Sequence, residues 1–282
     1  MSAIALSLGA ALVWGLADFA AGVQSRRQAL LAVLLVSQLV AVVPVVIAVL
    51  ASGHEPPDRT AIAWAGAAGL FGTLGVAAFY QGLAVGTMSI VAPIASTGAI
   101  LPVLVGLADG ERPGPVQVVG IACALVGVVL ASRAPDDADH PAHANARVAL
   151  GLALIAAVGI GMTFVGLERA TSTAGVPWAL LVSRGLQATL LTTAALIVRP
   201  RMPSDRASWG ALAALGLLDV AANAMFAVAV GKGLLSIVSV LSSLYPAVTV
   251  LLARTVLHER VSRAQEAGVL AILAGVVAIS AG

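Results

Sequence analysis

The chain has 282 residues, of which 60% are hydrophobic and only 10% are charged, and its formal net charge is +2. Soluble domains carry roughly 25% charged residues, so this composition excludes a soluble globular protein. The small net charge, and the lack of basic runs with interleaved aromatic residues, argue against a nucleic-acid partner.

Ten continuous apolar segments follow one another along the chain. Each is about 20 residues long, which is the length an α-helix needs to cross a bilayer. Because the segments do not alternate between apolar and polar residues, they predict helices rather than barrel strands. We therefore predict an all-α integral membrane protein embedded in the lipid bilayer. The predicted spans are approximately residues 3–23, 29–51, 61–84, 88–108, 114–132, 147–167, 177–198, 207–231, 234–253 and 262–281.

The two halves of the chain resemble each other. Short matches run in the same order in both halves, at an offset that drifts by only a few residues, and this ordered set indicates an internal repeat. The matches are residues 35–38 with 181–184, Trp64 with Trp209, 84–86 with 229–231, 89–91 with 236–238, 111–112 with 259–260, and 127–129 with 275–277.

The repeat predicts a domain organisation and a topology. Residues 1–134 form the first five-helix repeat, 135–146 a polar linker, and 147–282 the second repeat. Five spans are an odd number, so the second repeat enters the membrane in the opposite direction. Such inverted repeats are typical of secondary transporters, whose substrate site lies near the midplane between the halves. The acids and histidines of the linker, including His140 and His143, fit a solvated connection better than a metal site.

Glycines and prolines predict two kinds of local structure. Gly66, Gly69, Gly72 and Gly75 recur every third residue, which favours close approach of another helix. Prolines inside a span free a backbone carbonyl, and a broken helix lined by hydroxyl groups is typical of a transporter binding site. Two spans have this pattern, with simple kinks as the alternative: Pro93 lies beside Ser96 and Thr97, and Pro246 lies beside Ser242, Ser243 and Tyr245.

These patterns resemble the EamA family of ten-helix permeases, within the drug/metabolite transporter superfamily. The residues that carry the resemblance are 89–93 (SIVAP) and 242–247 (SSLYPA), each followed by an apolar run into 110–112 or 258–260. Arg184 matches the arginine that the family has in the second helix of a repeat, whereas Gln38 occupies that place in the first half. The resemblance implies export or uptake of small metabolites such as amino acids, often coupled to protons. It also implies a central cavity lined by helices 1, 3, 4, 6, 8 and 9.

Three charged side chains, Asp18, Arg184 and Asp219, interrupt apolar spans. A charge at the centre of a bilayer costs at least about 2.5–3.5 kcal/mol, so we expect these groups to face a polar interior. Asp219 and Asn223 are four residues apart and share one helix face. Asp219 either binds a cationic group or a proton, or forms an ion pair with Arg184. Asp18 either lines the cavity or snorkels to the interface beside the arginines at 26–27.

Aromatic and amide side chains complete the predicted cavity. Tyr80 and Gln81 end the third span, and Thr163 and Phe164 occupy the matching stretch of the sixth. Aromatic rings attract cations, so five of them predict a cage for a cationic or apolar substrate. The cage residues are Trp14, Tyr80, Phe164, Phe226 and Tyr245, and the remaining cavity residues are Asp18, Gln81, Ser96, Thr163, Asp219, Asn223 and Ser243, with Arg184 as the partner of Asp219. Trp64, Trp178 and Trp209, at span ends, fit interfacial anchors better.

The leading functional hypothesis is a secondary transporter, an exporter of a small organic solute in the bacterial plasma membrane, with proton coupling. The alternatives are an integral-membrane enzyme acting on a lipid-linked substrate and a channel-like facilitator. An enzyme would need a clustered acid/base or metal constellation, whereas every histidine lies in a connection and one cysteine, Cys123, cannot build a metal site. We find no P-loop or HExxH motif, and we expect neither catalysis nor a cofactor.

Two further features bear on the connections. Arginines concentrate in the odd-numbered connections, which by the positive-inside rule places both termini outside the cell. The family resemblance instead implies both termini in the cytoplasm.

Glu111 and Glu259 lie in short loops beside arginines. We expect each of them to cap the next helix or to pair with a neighbouring group.

Overall fold

The computed structural model describes residues 2–53, 55–86, 88–131, 146–256 and 263–281, and the regular structure in these ranges is helical. The predicted all-α architecture is therefore confirmed for the described residues. The helices are α1 (Ala3–Arg27), α2 (Leu30–Ser52), α3 (Arg59–Val85), α4 (Met88–Ser96), a 3₁₀ turn (Thr97–Ala99), α5 (Ile100–Ala108), α6 (Pro115–Ala131), α7 (Ala146–Val198), α8 (Arg206–Val230), α9 (Leu235–Ser242), α10 (Tyr245–Val256) and α11 (Arg263–Ala281).

Five of these helices are long and apolar enough to cross a membrane: α1, α2, α3, α7 and α8. Their outward faces carry large apolar side chains, such as Leu50 and Ile197, which are 79% and 77% exposed. Such side chains are costly in water, whereas lipid tails provide an apolar solvent for them. Trp64 and Trp209 are also exposed and lie within the first two turns of α3 and α8. This position suits the interfacial anchoring that we expect of them.

Polar side chains satisfy the first N–H groups of three long helices. Ser2 Oγ accepts from Ala5 N in α1 at 3.2 Å, and Asp58 Oδ1 accepts from Ala61 N in α3 at 2.7 Å. Asp205 accepts from the backbone N–H of Ser208 in α8, at 2.8 Å, and from its hydroxyl group, at 2.7 Å. These two bonds hold the pKa of the exposed Asp205 below its ordinary value, because they favour the ionised carboxylate.

α7 is 53 residues long and breaks at Gly175, where φ is 74° and ψ is 164°. An unbroken helix of that length would extend about 80 Å, far more than the ~30 Å hydrocarbon core. The left-handed φ suits glycine, which lacks a Cβ. We refer to residues 146–174 as the first arm of α7 and to 176–198 as the second arm. The first arm is helical for seven residues beyond the predicted span 147–167.

Two apolar segments are interrupted at corresponding places. α4 gives way to the 3₁₀ turn Thr97–Ala99 before α5, and α9 is separated from α10 by two residues. A proline in a helix prevents a hydrogen bond to the carbonyl four residues earlier. Pro102 frees the carbonyl of Gly98 in this way, and Pro246 that of Ser242. The break that we expected at Pro93 therefore lies one turn before Pro102, while Pro93 lies within α4 and its side chain is outside the described residues.

Close approach of backbones fixes how α3 and α8 pack. A Cβ on Gly69 of α3 would lie 2.6 Å from the carbonyl oxygen of Ser183 in the second arm of α7. A Cβ on Gly75 would lie 3.0 Å from the backbone of Gly159 in the first arm. In α8, a Cβ on Gly216 would overlap the carbonyl of Ser37 in α2. These contacts confirm the glycine prediction for part of the series.

Gly66 and Gly72 complete that glycine series with different neighbours. A Cβ on Gly66 would meet only Leu186 Cδ2, at the ordinary distance of 4.0 Å, so the packing does not require glycine there. A Cβ on Gly72 would lie 2.7 Å from Gln187 Nε2. α1 lies against α3, α8 and α10, and α3 lies along both arms of α7. This arrangement leaves a space at the centre of the helices.

Candidate functional site

A buried cavity lies where α1, α3, α7, α8 and α10 meet. Its volume is about 60 Å³, which leaves room for a few water molecules. The polar side chains of its wall are Asp18, Thr163, Arg184, Gln187, Asp219 and Asn223, and the other lining residues are Trp14, Gly72, Val76, Phe79, Tyr80, Ile160, Phe164 and Tyr245. The wall therefore combines charged groups with a largely aromatic surface. Both halves of the chain contribute to it.

An ion pair joins α7 to α8 on one side of the cavity. Arg184 Nη1 lies 2.7 Å from Asp219 Oδ2, and only 4% of the arginine is exposed. The same nitrogen donates to Gln38 Oε1 at 2.6 Å and to Gln187 Oε1 at 3.1 Å. The structure thus places Arg184 and Asp219 together, as in the ion-pair alternative. A buried guanidinium without such partners would have no low-energy environment in hydrocarbon.

The carboxylate of Asp219 is held by four side chains from four helices. Its Oδ1 accepts from Trp14 Nε1 of α1 at 3.3 Å and from Asn223 Nδ2 at 3.1 Å. Its Oδ2 accepts from Gln38 Nε2 of α2 at 3.4 Å and forms the ion pair with Arg184. A carboxylate offers about four lone-pair positions, so this one is saturated. Its charge and its hydrogen-bonding capacity are both satisfied within the protein. Of the two alternatives for Asp219, ligand binding and an ion pair with Arg184, this arrangement corresponds to the ion pair.

Asp18 is the second acid of the cavity and has very different surroundings. It is 7% exposed and lines the cavity, so the snorkelling alternative is wrong. Arg26, towards which it could have snorkelled, instead donates to the carbonyls of Leu83 and Gly86, both at 3.3 Å. Within the part of the chain that the structure describes, the Asp18 carboxylate has no hydrogen bond and no ion pair. It is a buried acid that faces open space.

The aromatic side chains form two groups. Phe164 stacks on Trp14 with ring centroids 5.4 Å apart, and on Phe226 at 4.3 Å. On the opposite side, Phe79 contacts Tyr80 at 6.0 Å and Tyr245 edge-on at 6.1 Å. Among the described residues, the buried Tyr245 hydroxyl has no hydrogen-bond partner. Four of the five rings predicted for the cage, those of Trp14, Tyr80, Phe164 and Tyr245, line the cavity together with Phe79.

Four predicted cavity residues do not line the cavity, for physical reasons that differ. Gln81 follows Tyr80, and successive residues of a helix point about 100° apart. Phe226 is fully buried behind Phe164. Ser96, at the end of α4, is also buried away from the cavity. Ser243 donates its hydroxyl to Val240 O at 2.9 Å, so a backbone carbonyl of the preceding turn satisfies it locally.

Sequence reasoning missed Gln187 and Phe79 and gave Gln38 no role. Gln187 lies three residues after Arg184 on α7, and this spacing places both on one helix face, so the sequence held a usable signal. Gln38 occupies the place of Arg184 in the other half and hydrogen-bonds to it. Phe79 carried no comparable signal, because its place in the wall depends on a ring contact with Tyr245, which is distant in the sequence.

Glu111 caps a distant helix rather than the next one. Its carboxylate accepts from Leu235 N at 2.5 Å and from Ser236 N at 3.0 Å, at the N-terminus of α9. The expectation for Glu111 was therefore wrong in its partner. Glu259, His140 and His143 lie outside the described residues. Where the chain is described, no group of three or more His, Cys, Asp and Glu side chains is placed to hold a metal ion.

Comparison with known proteins gives the family and the fold. The model of the EamA-like transporter family matches residues 1–133 and again residues 147–281. A solved structure described as the crystal structure of a protein superposes with a TM-score of 0.70 at 21% sequence identity, covering 98% of this chain and 95% of that one. This likeness supports the same fold. None of the curated proteins compared with the chain matches it.

The two family matches cover nearly the whole chain and leave out only its polar middle stretch. They agree with the residues that suggested the resemblance and with the apolar helices of the structure. The chain belongs to the EamA-like transporter family, and so to the drug/metabolite transporter superfamily of integral membrane proteins.

Proposed function

We propose that this protein is a secondary active transporter that exports a small organic metabolite, such as an amino acid or a drug-like solute, from the bacterial cell. Export proceeds by alternating access and is coupled to protons. The observation that carries the proposal is the buried cavity to which both halves contribute, with Trp14, Asp18 and Tyr80 from the first and Arg184 and Asp219 from the second. A site shared between two halves can be exposed to either side when one half moves against the other.

The helices correspond to ten spans if α4 with α5 counts as one span, α9 with α10 as another, and each arm of α7 as one. The first repeat then comprises residues 1–134 and the second 147–282, joined by 135–146. Contacts between matched positions support this division. Gly69 packs on Ser183 and Gly216 on Ser37, and the two serines are equivalent in the repeat. Gln38 and Arg184, also equivalent, hydrogen-bond to each other. Reciprocal contacts of this kind are expected about a two-fold axis, which five spans per repeat would orient in the membrane plane.

Alternating access requires that the cavity change size. At about 60 Å³ it cannot hold an amino acid in this conformation, so we assign the structure to a closed state of the cycle. The glycine contacts of α3 and α8 allow backbones to slide with few side chains between them. Movement along these contacts would open the cavity towards one side at a time.

Flux through proteoliposomes tests the proposal. Amino acids, organic amines and cationic dyes are first screened for thermal stabilisation of the purified protein, because a ligand of the folded state raises the melting temperature. We then expect saturable accumulation of the stabilising solute in vesicles with an acidic interior, abolished by a protonophore. Protein-free vesicles are the control. Flux that neither saturates nor accumulates would indicate a channel, and a chemically altered solute would indicate an enzyme.

A further inference from the structure

We propose that Asp18 recognises the cationic group of the transported solute, and that the solute is an organic ammonium ion without a carboxylate. The inference rests on the proposed function, since it names the substrate class of the same cavity. It narrows that proposal to drug-like cations and leaves out amino acids. The sequence analysis had considered Asp219, and not Asp18, as the acid that binds a cationic group. Three observations lead to it: the charge balance of the cavity, the surroundings of Asp18, and the aromatic wall.

The charge balance of the cavity comes from three groups. Arg184 and Asp219 neutralise each other at 2.7 Å. An ionised Asp18 carboxylate would then give the cavity a net charge of −1, since no described cation lies beside it. A buried charge without a partner is unstable, and a cation that enters the cavity provides the partner. An anionic solute would instead meet a second negative charge.

A zwitterion such as an amino acid fits this balance poorly. Its carboxylate would need a cation, and among the described cavity residues Arg184 is already bound to Asp219, Gln38 and Gln187. Breaking these contacts to receive a solute would leave Asp219 buried without its counter-charge. The geometry therefore favours a monocation over a zwitterion.

The surroundings of Asp18 suit an ammonium group. Among the described residues its carboxylate accepts no hydrogen bond, so its lone pairs are available to N–H donors from a ligand. Tyr245 lines the same cavity beside Asp18 and adds a polar aromatic residue to its wall. The rings of Trp14, Phe79 and Tyr80 add π faces, which attract cations and bury apolar substituents.

The size of the cavity limits what binds in the closed state. About 60 Å³ accommodates an ammonium head group or methylammonium, whereas a larger substituent requires the cavity to open. We therefore expect several ammonium ions of different size to share one requirement, the Asp18 carboxylate.

Binding to the purified full-length protein tests the inference without depending on transport. The probes are methylammonium and benzylammonium, with benzyl alcohol, benzoate and phenylalanine as neutral, anionic and zwitterionic counterparts of similar shape. Affinity is measured by calorimetry and by the shift in melting temperature. We expect at least one of the two ammonium ions to bind, and none of the counterparts to bind comparably.

The variants separate recognition from folding. Asp18→Asn should weaken ammonium binding roughly tenfold or more, the loss expected for one charge-assisted hydrogen bond, while Asp18→Glu retains it. Asp58→Asn is the matched control, because the same chemical change occurs at an exposed helix cap where asparagine serves equally well. The melting temperature of each variant without probe shows that it is folded.

Three results would overturn the inference: no response to either ammonium ion, unchanged binding by Asp18→Asn, or equal binding of benzyl alcohol. These results leave the transporter proposal intact if another solute is accumulated in vesicles. Conversely, Asp18-dependent binding without any flux would sustain the site and refute the transporter proposal. The two failures are therefore distinguishable.

Discussion

At the scale of single residues, the two acids of the cavity show how surroundings divide roles between identical side chains. Asp219 lies among four donors, and Asp18 has none among the described residues. The first carboxylate is fixed by the protein, while the second is available to a ligand. Sequence position alone could not make this distinction, because both acids lie in apolar helices that line the same space.

Asp219→Asn is expected to lower the stability of the protein. The substitution leaves Arg184 buried without its counter-charge, and removing one member of a buried ion pair costs about 3–5 kcal/mol. Asp18→Asn, by contrast, should leave the melting temperature unchanged or raise it, because it removes an unpaired charge. Thermal unfolding of both variants in the same detergent compares them directly.

A double variant serves as the control. Arg184→Gln combined with Asp219→Asn removes both charges and should recover part of the lost melting temperature. A melting temperature of Asp219→Asn equal to that of the unmodified protein would contradict the structural role of the pair.

The charged residues of the candidate site could be predicted from the sequence. Because a charged side chain is costly inside a membrane, the sequence alone predicted that Asp18, Arg184 and Asp219 face one polar interior and that two of them form a pair. It could not determine side-chain directions near the helix breaks, where Ser96 and Ser243 do not line the cavity of this structure. Hydroxyl groups readily bond to nearby backbone of their own helix, and this local alternative leaves no mark in the sequence pattern.

At the scale of elements, helix existence followed from apolar length. Proline chemistry accounts for the interruptions before Pro102 and Pro246, whereas Pro44 lies within the continuous α2 and α7 breaks at Gly175. The contacts between helices depend on individual glycines. Gly69 lies against the backbone of Ser183, while Gly66, almost one turn earlier on α3, has ordinary space around it. Periodicity treated the two positions as equivalent, because it records spacing along one helix and contains no information about the partner.

Gly69→Ala is expected to destabilise the packing of α3 on α7. The added methyl group would lie 2.6 Å from a carbonyl oxygen, and overpacking of this kind costs about 1–3 kcal/mol. Gly66→Ala is the matched control and should be neutral or stabilising, since alanine is the better helix former. The melting temperature and the yield of folded monodisperse protein measure both effects. Equal tolerance of the two substitutions would show that the contact is looser than described.

Glu111→Gln is expected to loosen the N-terminus of α9. The carboxylate accepts from two N–H groups there and lies at the positive end of the helix dipole, an arrangement that contributes about 1–2 kcal/mol. Hydrogen exchange of Leu235 and Ser236 should accelerate, while that of α8 is unchanged. Glu55→Gln, at an exposed position, is the control. Unaltered protection at both amides would mean that the cap has no energetic role.

At the scale of the whole molecule, the halves are joined by extensive contacts between helices. α3 packs along α7, α1 and α2 pack against α8, and α6 packs against α11. The sequence patterns did not predict these contacts, because each pattern describes a single helix and says nothing about which helix packs against it. The repeat was nevertheless visible, since matched residues recur in order even where their neighbours differ.

Cleavage of the linker is expected to leave the protein assembled. A protease site placed within residues 135–145 of the full chain allows the linker to be cut after folding. Because the halves contact each other through several helices, the two fragments should co-elute on size exclusion with an unchanged melting temperature. Separation of the fragments would show that the linker, and not the helix contacts, holds the halves together.

The hydrogen bond between Gln38 and Arg184 has a consequence for how such a molecule can arise. The two residues hold equivalent places in the repeat and face each other at 2.6 Å. Were the ancestor a dimer of identical five-helix chains, both places would carry the same side chain, and two arginines would bring like charges together in a dry interior. Arg184 can therefore occupy its position only if the two copies have diverged, so that the equivalent position carries the amide of Gln38. Fusion into one polypeptide makes that asymmetry heritable, because each copy can then mutate on its own.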